Sequence, residues 1–124
     1  GFCVMGGIFS EGIDLKNDSL IGVMIVGTGI PQVCAERELL KQYFDEKGQN
    51  GYDYAYRFPG MNKVQQAAGR VIRTSEDVGI VVLIDDRFLT PACRRLFPAE
   101  WSNAQVTDSR EVGRLAAKFW NEWL

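Results

Sequence analysis

Histidine is absent from this 124-residue chain, and its absence removes three kinds of chemistry at once. There can be no His-ligated metal, no His proton relay and no Ser-His-Asp triad. Cysteine is scarce: Cys3, Cys34 and Cys93 are odd in number, far apart and form no CxxC pair. They are expected to be free thiols in a reducing compartment, holding neither a metal nor an iron–sulfur cluster. No apolar run approaches the ~20 residues of a membrane span, and no signal peptide opens the chain. An intracellular, cytoplasmic or nucleoid-associated protein with no membrane partner is therefore expected. The phosphate cradle GxxxxGK[ST] occurs nowhere, so the chain has no ATP loop of its own.

What is present is ordinary in bulk. A mass of 13.9 kDa, 46% hydrophobic and 24% charged residues describe a single domain large enough to bury a core. The net charge of −2 and pI near 5.1 speak against a generic nucleic-acid coat. The charge is uneven, however. From Arg57 to Arg95, Arg57, Lys63, Arg70, Arg73, Arg87, Arg94 and Arg95 stand against Glu76, Asp77, Asp85 and Asp86, a local excess of +3. An anion site is plausible there, and a broad DNA-binding surface is not established.

Hydrophobic patterning indicates alternating strands and helices. The opening GFCVMGG reads as strand and IFSEGIDLKNDS as loop. Leu20 to Gly27 (LIGVMIVG) is a continuous apolar run, expected to be a parallel strand buried on both faces, and Ile80 to Ile84 (IVVLI) is a second. Pro31 suits the first position of a helix running to Lys47-Gly48. GQNGYDYAYRFPG is expected to be a loop or extended connector. Its alternating Tyr52, Tyr54, Tyr56 and Phe58 form one face of a short strand, cover neighbouring elements, or stack on single-stranded bases. DDRFLTPACRRLF reads as a loop and short helix. Asp108 and Glu111 have capping-box spacing, ahead of a helical stripe of Val112, Leu115, Ala116, Phe119 and Trp123. The order indicates a layered α/β domain with a parallel sheet flanked by helices, residues 1–124 forming one unit.

The stretch QQAAGRVIR (Gln65 to Arg73) carries the sharpest chemistry. As an α-helix it places Val64, Ala67, Ala68, Val71 and Ile72 within roughly 140° of arc. Gln66, Arg70 and Arg73 then fall within about 60° on the opposite side, with no carboxylate among them. Gly69 costs about 1 kcal/mol against alanine in mid-helix, which points to close approach by another group. A solvated charged face is the plain reading. Two cations and an amide suit an anion better.

Three phosphate chemistries compete for it. A dinucleotide fingerprint at Gly27-Thr28-Gly29 fails in detail: Gln32 replaces the third glycine, Pro31 intrudes, and Asp45 and Glu46 lie in a helix. A P-loop is missing. The third is a half-site, in which helix-borne arginines reach a nucleotide held by something else and neutralise charge on its γ-phosphate. SEGID (Ser10 to Asp14) fits this: a hydroxyl and exposed backbone N–H groups can hold a DNA phosphate, and a carboxylate can accept from a ribose hydroxyl.

FSEGIDL resembles motif V, and QAAGRVIR followed by DVGIVVLIDDRF resembles motif VI, of the XPD/DinG-type superfamily 2 DNA helicases. Their order and spacing match, and LFPAEW with the final helix is similar to that family's C-terminal end. The resemblance covers nearly the whole chain. It implies the C-terminal portion of a second RecA-like (P-loop NTPase-type) motor domain, truncated at its N-terminal side. ATP with Mg would be bound mainly by the first RecA-like domain of the same chain, and hydrolysis would drive movement on single-stranded DNA, 5′ to 3′ by resemblance. Arg70 and Arg73 would face the phosphates as catalytic groups, with Gln66, Gly12 and Asp14 at the nucleotide and Ser10 and Glu11 nearer the DNA. The family's iron–sulfur cysteines belong to the first domain, and none is assignable here. By the same token this segment is expected to be inactive alone and prone to self-association. The alternative is a non-catalytic helicase-like α/β module that binds a protein partner or an anion.

Overall fold

The computed structural model describes Phe2, Met5 and residues 21–123. Two short strands rich in β-branched residues form the sheet: β1, Gly22–Val26, and β2, Ile80–Ile84. They pair in parallel, in register from Gly22 opposite Ile80 to Val26 opposite Ile84. The Ile80 N–H donates to the Ile21 carbonyl at 3.1 Å and the Gly27 N–H to the Ile84 carbonyl at 3.1 Å, so the ladder runs slightly beyond both ends. Parallel pairing demands a long crossover, supplied here by two helices, α1 (Ala35–Glu46) and α2 (Phe58–Ala68).

α1 starts four residues later than Pro31. Gly27 and Gly29 take left-handed backbone angles (φ 87° and 67°), which turn the chain. Cys34, extended at φ −149°, is the N-cap, and its carbonyl accepts the first helical bond from the Glu38 N–H at 3.0 Å. Glu36 and Glu38 in the first turn complement the helix dipole. The helix stops where expected: Gly48 is left-handed (φ 77°) and the Gln49 N–H closes onto the Phe44 carbonyl at 3.0 Å.

The aromatic connector is helical, which corrects the loop or extended reading. Gly51 and Tyr52 begin a helical run, Asp53–Arg57 form one widened π-type turn, and α2 follows without a break. Aromatics four apart in sequence meet on the helix: Tyr52 stacks with Tyr56 and Tyr54 meets Phe58 edge-on. Phe44 of α1 stacks on Tyr54 with ring centres 4.1 Å apart. The Tyr56 hydroxyl donates to Glu38 at 2.6 Å, which pushes its pKa up to about 12, and Arg37 donates to the Ala55 carbonyl at 2.9 Å. These contacts lock α1 against the connector and so aim α2. The aromatics cover neighbouring elements, one of the uses open to them, and do not form a strand face.

The core lies between one sheet face and α2. Ile25, Met61, Val64, Ala68 and Phe88 are buried together, with Val23, Val81, Leu83, Leu96, Phe97 and Trp101 packed around them. Among the described residues β1 is therefore buried on one face only, another correction. Met24 (66% exposed), Val26 (73%) and Ile84 (45%) look outward, and no described element covers them. Burial thus alternates along β1 although its sequence is apolar throughout.

After β2, Asp85 caps a 3-10 turn, Asp86–Leu89, and the Thr90 hydroxyl caps α3, Pro91–Arg94, the expected loop and short helix. A second 3-10 turn spans Ala99–Asn103. The Asp108 carboxylate accepts from the Arg110 and Glu111 N–H groups at 2.9 and 3.0 Å and opens α4, Val112–Trp123. Val112, Leu115, Ala116 and Phe119 of its stripe are half-buried, while Trp123 stays 60% exposed.

Candidate functional site

The QQAAGRVIR stretch spans the C-terminal end of α2 and the turn beyond it. α2 ends at Ala68, with Gly69 as C-cap at φ −65° and ψ −10°. The helix then tightens: Arg70 N–H donates to the Ala67 carbonyl at 3.2 Å, and Val71 N–H to the Ala68 carbonyl at 3.0 Å. A single polar arc of Gln66, Arg70 and Arg73 on one continuous helix is therefore corrected. Gln66 is on the exposed side of α2, Arg70 is half-buried on the tightened turn, and Arg73 is exposed in the segment after it. The apolar side largely holds: Val64, Ala68 and Val71 are buried and Ala67 half-buried, but Ile72, whose N–H still reaches the Ala68 carbonyl at 3.3 Å, is 43% exposed. At Gly69 a Cβ would meet the Gln65 and Gln66 carbonyls of its own helix at 3.3 and 3.5 Å. Among the described residues, then, no neighbouring element makes the close approach that a mid-helix glycine implied.

The turn is anchored by a residue that sequence reading overlooked. The Asp77 carboxylate accepts from the Arg73 and Thr74 N–H groups, both at 2.8 Å. These bonds, aided by the Arg73 charge, hold the Asp77 pKa below the usual carboxylate range. Asp77 N–H returns to the Thr74 carbonyl at 3.2 Å, and Glu76 N–H reaches the Thr74 hydroxyl at 3.3 Å. Thr74 to Asp77 has the T-x-x-D spacing of a capping motif used in a loop, and that was the readable signal. Gly79 then passes tight over Val71; a Cβ there would lie 2.2 Å from Val71 Cγ1 and 3.0 Å from the Ile21 carbonyl. Asp77 and Gly79 fix the backbone that carries the two arginines between α2 and β2.

Elsewhere the local excess of positive charge is partly consumed. Buried Asp53 is paired with Arg57 and lies 3.8 Å from Arg95. Arg87 grips Asp85 through Nε and Nη2 at 2.9 and 2.8 Å. That hydrogen-bonded pair lowers the Asp85 pKa to about 2 and raises that of Arg87. Gln65 Nε2 donates to the Leu96 carbonyl at 2.9 Å, tying α2 to the segment after α3. Among the described residues no group of three Cys, Asp or Glu side chains could hold a metal ion. Cys34 is exposed and Cys93 buried, both as free thiols. Ser10, Glu11, Gly12 and Asp14 lie outside the described residues, as does Cys3. No described helix is long and apolar enough to cross a membrane.

A strand, a helix that stops just before GRVIR, a carboxylate-tied turn and a second parallel strand follow one another along the chain. Residues 1–104 match the helicase C-terminal domain family, and the chain belongs to that family. It is 34% identical, over 96% of its length, to the regulator of telomere elongation helicase 1 homolog of Caenorhabditis briggsae. It is 37% identical over 83% of its length to the human regulator of telomere elongation helicase 1, and 35% identical over 76% to the ATP-dependent DNA helicase chl-1 of Caenorhabditis elegans. The chain spans 13%, 9% and 11% of those proteins, respectively.

Proposed function

We propose that residues 1–124 form the C-terminal part of a second RecA-like motor domain in an ATP-dependent DNA helicase. Arg70 and Arg73 then complete a nucleotide site whose phosphate cradle, with its Mg ion, lies in the first motor domain. The observation that carries this reading is the family match, which spans both FSEGIDL and QAAGRVIR in their proper order. The physics agrees with it. A guanidinium helps phosphoryl transfer only if it is pre-positioned where charge develops. A turn held from one side by Asp77 and packed from the other by Gly79 against Val71 is a means of positioning. Gln66 is offered to the nucleotide from the exposed side of α2. Gly12 and Asp14 serve the same nucleotide, and Ser10 and Glu11 the single-stranded DNA. Hydrolysis is thereby coupled to movement on that strand.

The chain supplies arginines without a cradle, so it should bind nucleotide weakly and turn none over. Purified and free of contaminating ATPase, it is expected to release phosphate from ATP at the buffer rate, with or without single-stranded DNA. The complete gene product carrying this segment is expected to show DNA-stimulated hydrolysis. Turnover by the 124-residue chain alone, or a complete product lacking any, contradicts the shared-site reading.

A further inference from the structure

The loop leaving β1 forms a second polar site, apart from the arginine turn. Thr28 sits between the two left-handed glycines, at the C-terminal end of a parallel strand, where open α/β sheets hold their ligands. The loop presses onto α2 with no side chain between the backbones. A Cβ on Gly29 would lie 2.9 Å from the Gly60 carbonyl oxygen, and one on Gly60 would lie 2.6 Å from that of Thr28. Beside this contact is an open cavity of about 580 Å³, lined by Met5, Thr28, Gly29, Pro31, Lys63 and Arg87 among others. Neither Arg70 nor Arg73 is among its described lining residues.

The chemistry of that lining is one-sided. Lys63 and Arg87 are the charged groups among the described lining residues, and no carboxylate accompanies them in the wall. Arg87 is braced from behind by Asp85, which takes one N–H from Nε and one from Nη2, and guanidinium donors remain beyond that pair. Thr28 is 2% exposed, and its hydroxyl has no hydrogen-bond partner among the described residues. A buried hydroxyl is normally satisfied, and valine would fill the same space without leaving one orphaned. A planar carboxylate would be served by one guanidinium fork. A lysine from α2, a guanidinium from the turn after β2 and a hydroxyl from the loop after β1 suit an anion that accepts from several donors, as a tetrahedral phosphate does.

We propose that this cavity binds a phosphate group, with Lys63 and Arg87 neutralising its charge and the Thr28 hydroxyl donating to one oxygen. The group comes from a nucleic-acid backbone, from a nucleotide, or as free phosphate, all sharing that chemistry. The site does not depend on Arg70 and Arg73 acting at ATP.

Equilibrium dialysis of the 124-residue chain against radiolabelled inorganic phosphate, at constant ionic strength, tests it. Saturable binding of one equivalent is expected. Lys63→Gln and Thr28→Val should each weaken binding by about tenfold or more, the loss expected for one hydrogen bond to a charged group. Lys118→Gln, on the exposed side of α4, should leave it unchanged. Thr28→Val removes only an orphaned hydroxyl, so the fold should survive it, and Lys63→Gln makes the same test at a less buried position. Displacement of the label by oligo-dT identifies a backbone phosphate and displacement by ADP a nucleotide. Displacement by neither leaves free phosphate as the ligand. Absence of saturable binding, or binding by Lys63→Gln equal to that of the unaltered chain, overturns the proposal.

Discussion

Arg87 and Asp85 show how single residues stiffen this chain. The guanidinium meets the carboxylate edge-on, and the Arg87 N–H adds a third bond at 2.8 Å. The Asp85 pKa is about 2 when folded, against an ordinary 3.8. A depressed folded-state pKa makes the pairing stabilising above the unfolded value, with that contribution lost as the pH falls from about 4 to about 2. Asp85→Asn should therefore lower the melting temperature at neutral pH, and its gap from the unaltered chain should close across that acidic window. A gap that stays constant down to pH ~2 would show that the pair contributes nothing pH-dependent. At this scale Gln66, Arg70 and Arg73 stand out in the sequence as two cations and an amide without a carboxylate, although they do not share one helical arc. Asp77 does not, because its role is to accept from two backbone N–H groups, and that depends on how the turn closes.

At the scale of elements, β2 and the end of α1 were legible, since a short β-branched run and a Lys-Gly stop have few other uses. The aromatic connector was not. Alternation of Tyr52, Tyr54, Tyr56 and Phe58 fits a strand by period, but the widened turn and the stacking on Phe44 make four-apart pairs of them. Tertiary packing overrode a local pattern. The end of α2 was misplaced for a related reason: glycine and valine allow the helix to tighten after Ala68, and Asp77 then offers the backbone N–H groups a better acceptor than a further helical turn. The passage of Gly79 over Val71 makes this junction sensitive to one carbon atom. Gly79→Ala would force Val71 or the Ile21 carbonyl to move, and overpacking of this kind costs about 1–3 kcal/mol. Thermal or urea unfolding should show that loss, and an unchanged midpoint would mean that the junction is slack.

At the scale of the molecule, the parallel α/β arrangement was readable from the sequence, but the burial of β1 was not. An apolar strand is expected to be covered twice, and in the described residues it is covered once. Met24, Val26 and Ile84, with exposed Ile21 and Val33 nearby in sequence, present apolar surface around two strand edges that no described strand pairs. Surfaces of this kind associate. The 124-residue chain should form dimers or larger species at high concentration, measurable by light scattering. A clean monomer over a wide concentration range would show that the exposed face is tolerated.

The central claim is that Arg70 and Arg73 serve a nucleotide and not the fold. It is tested by steady-state ATPase measured beside a melting curve in the complete gene product. Arg70→Ala and Arg73→Ala should stay within roughly 1 kcal/mol of the unaltered stability, yet lose about 10³-fold or more in hydrolysis. Lysine should not restore either, since an ammonium lacks the planar fork. Ala68→Asp, which puts an unpaired charge into the buried face of α2, should instead unfold the domain. Normal hydrolysis by both alanine variants would contradict the account and reduce the GRVIR turn to a solvated surface.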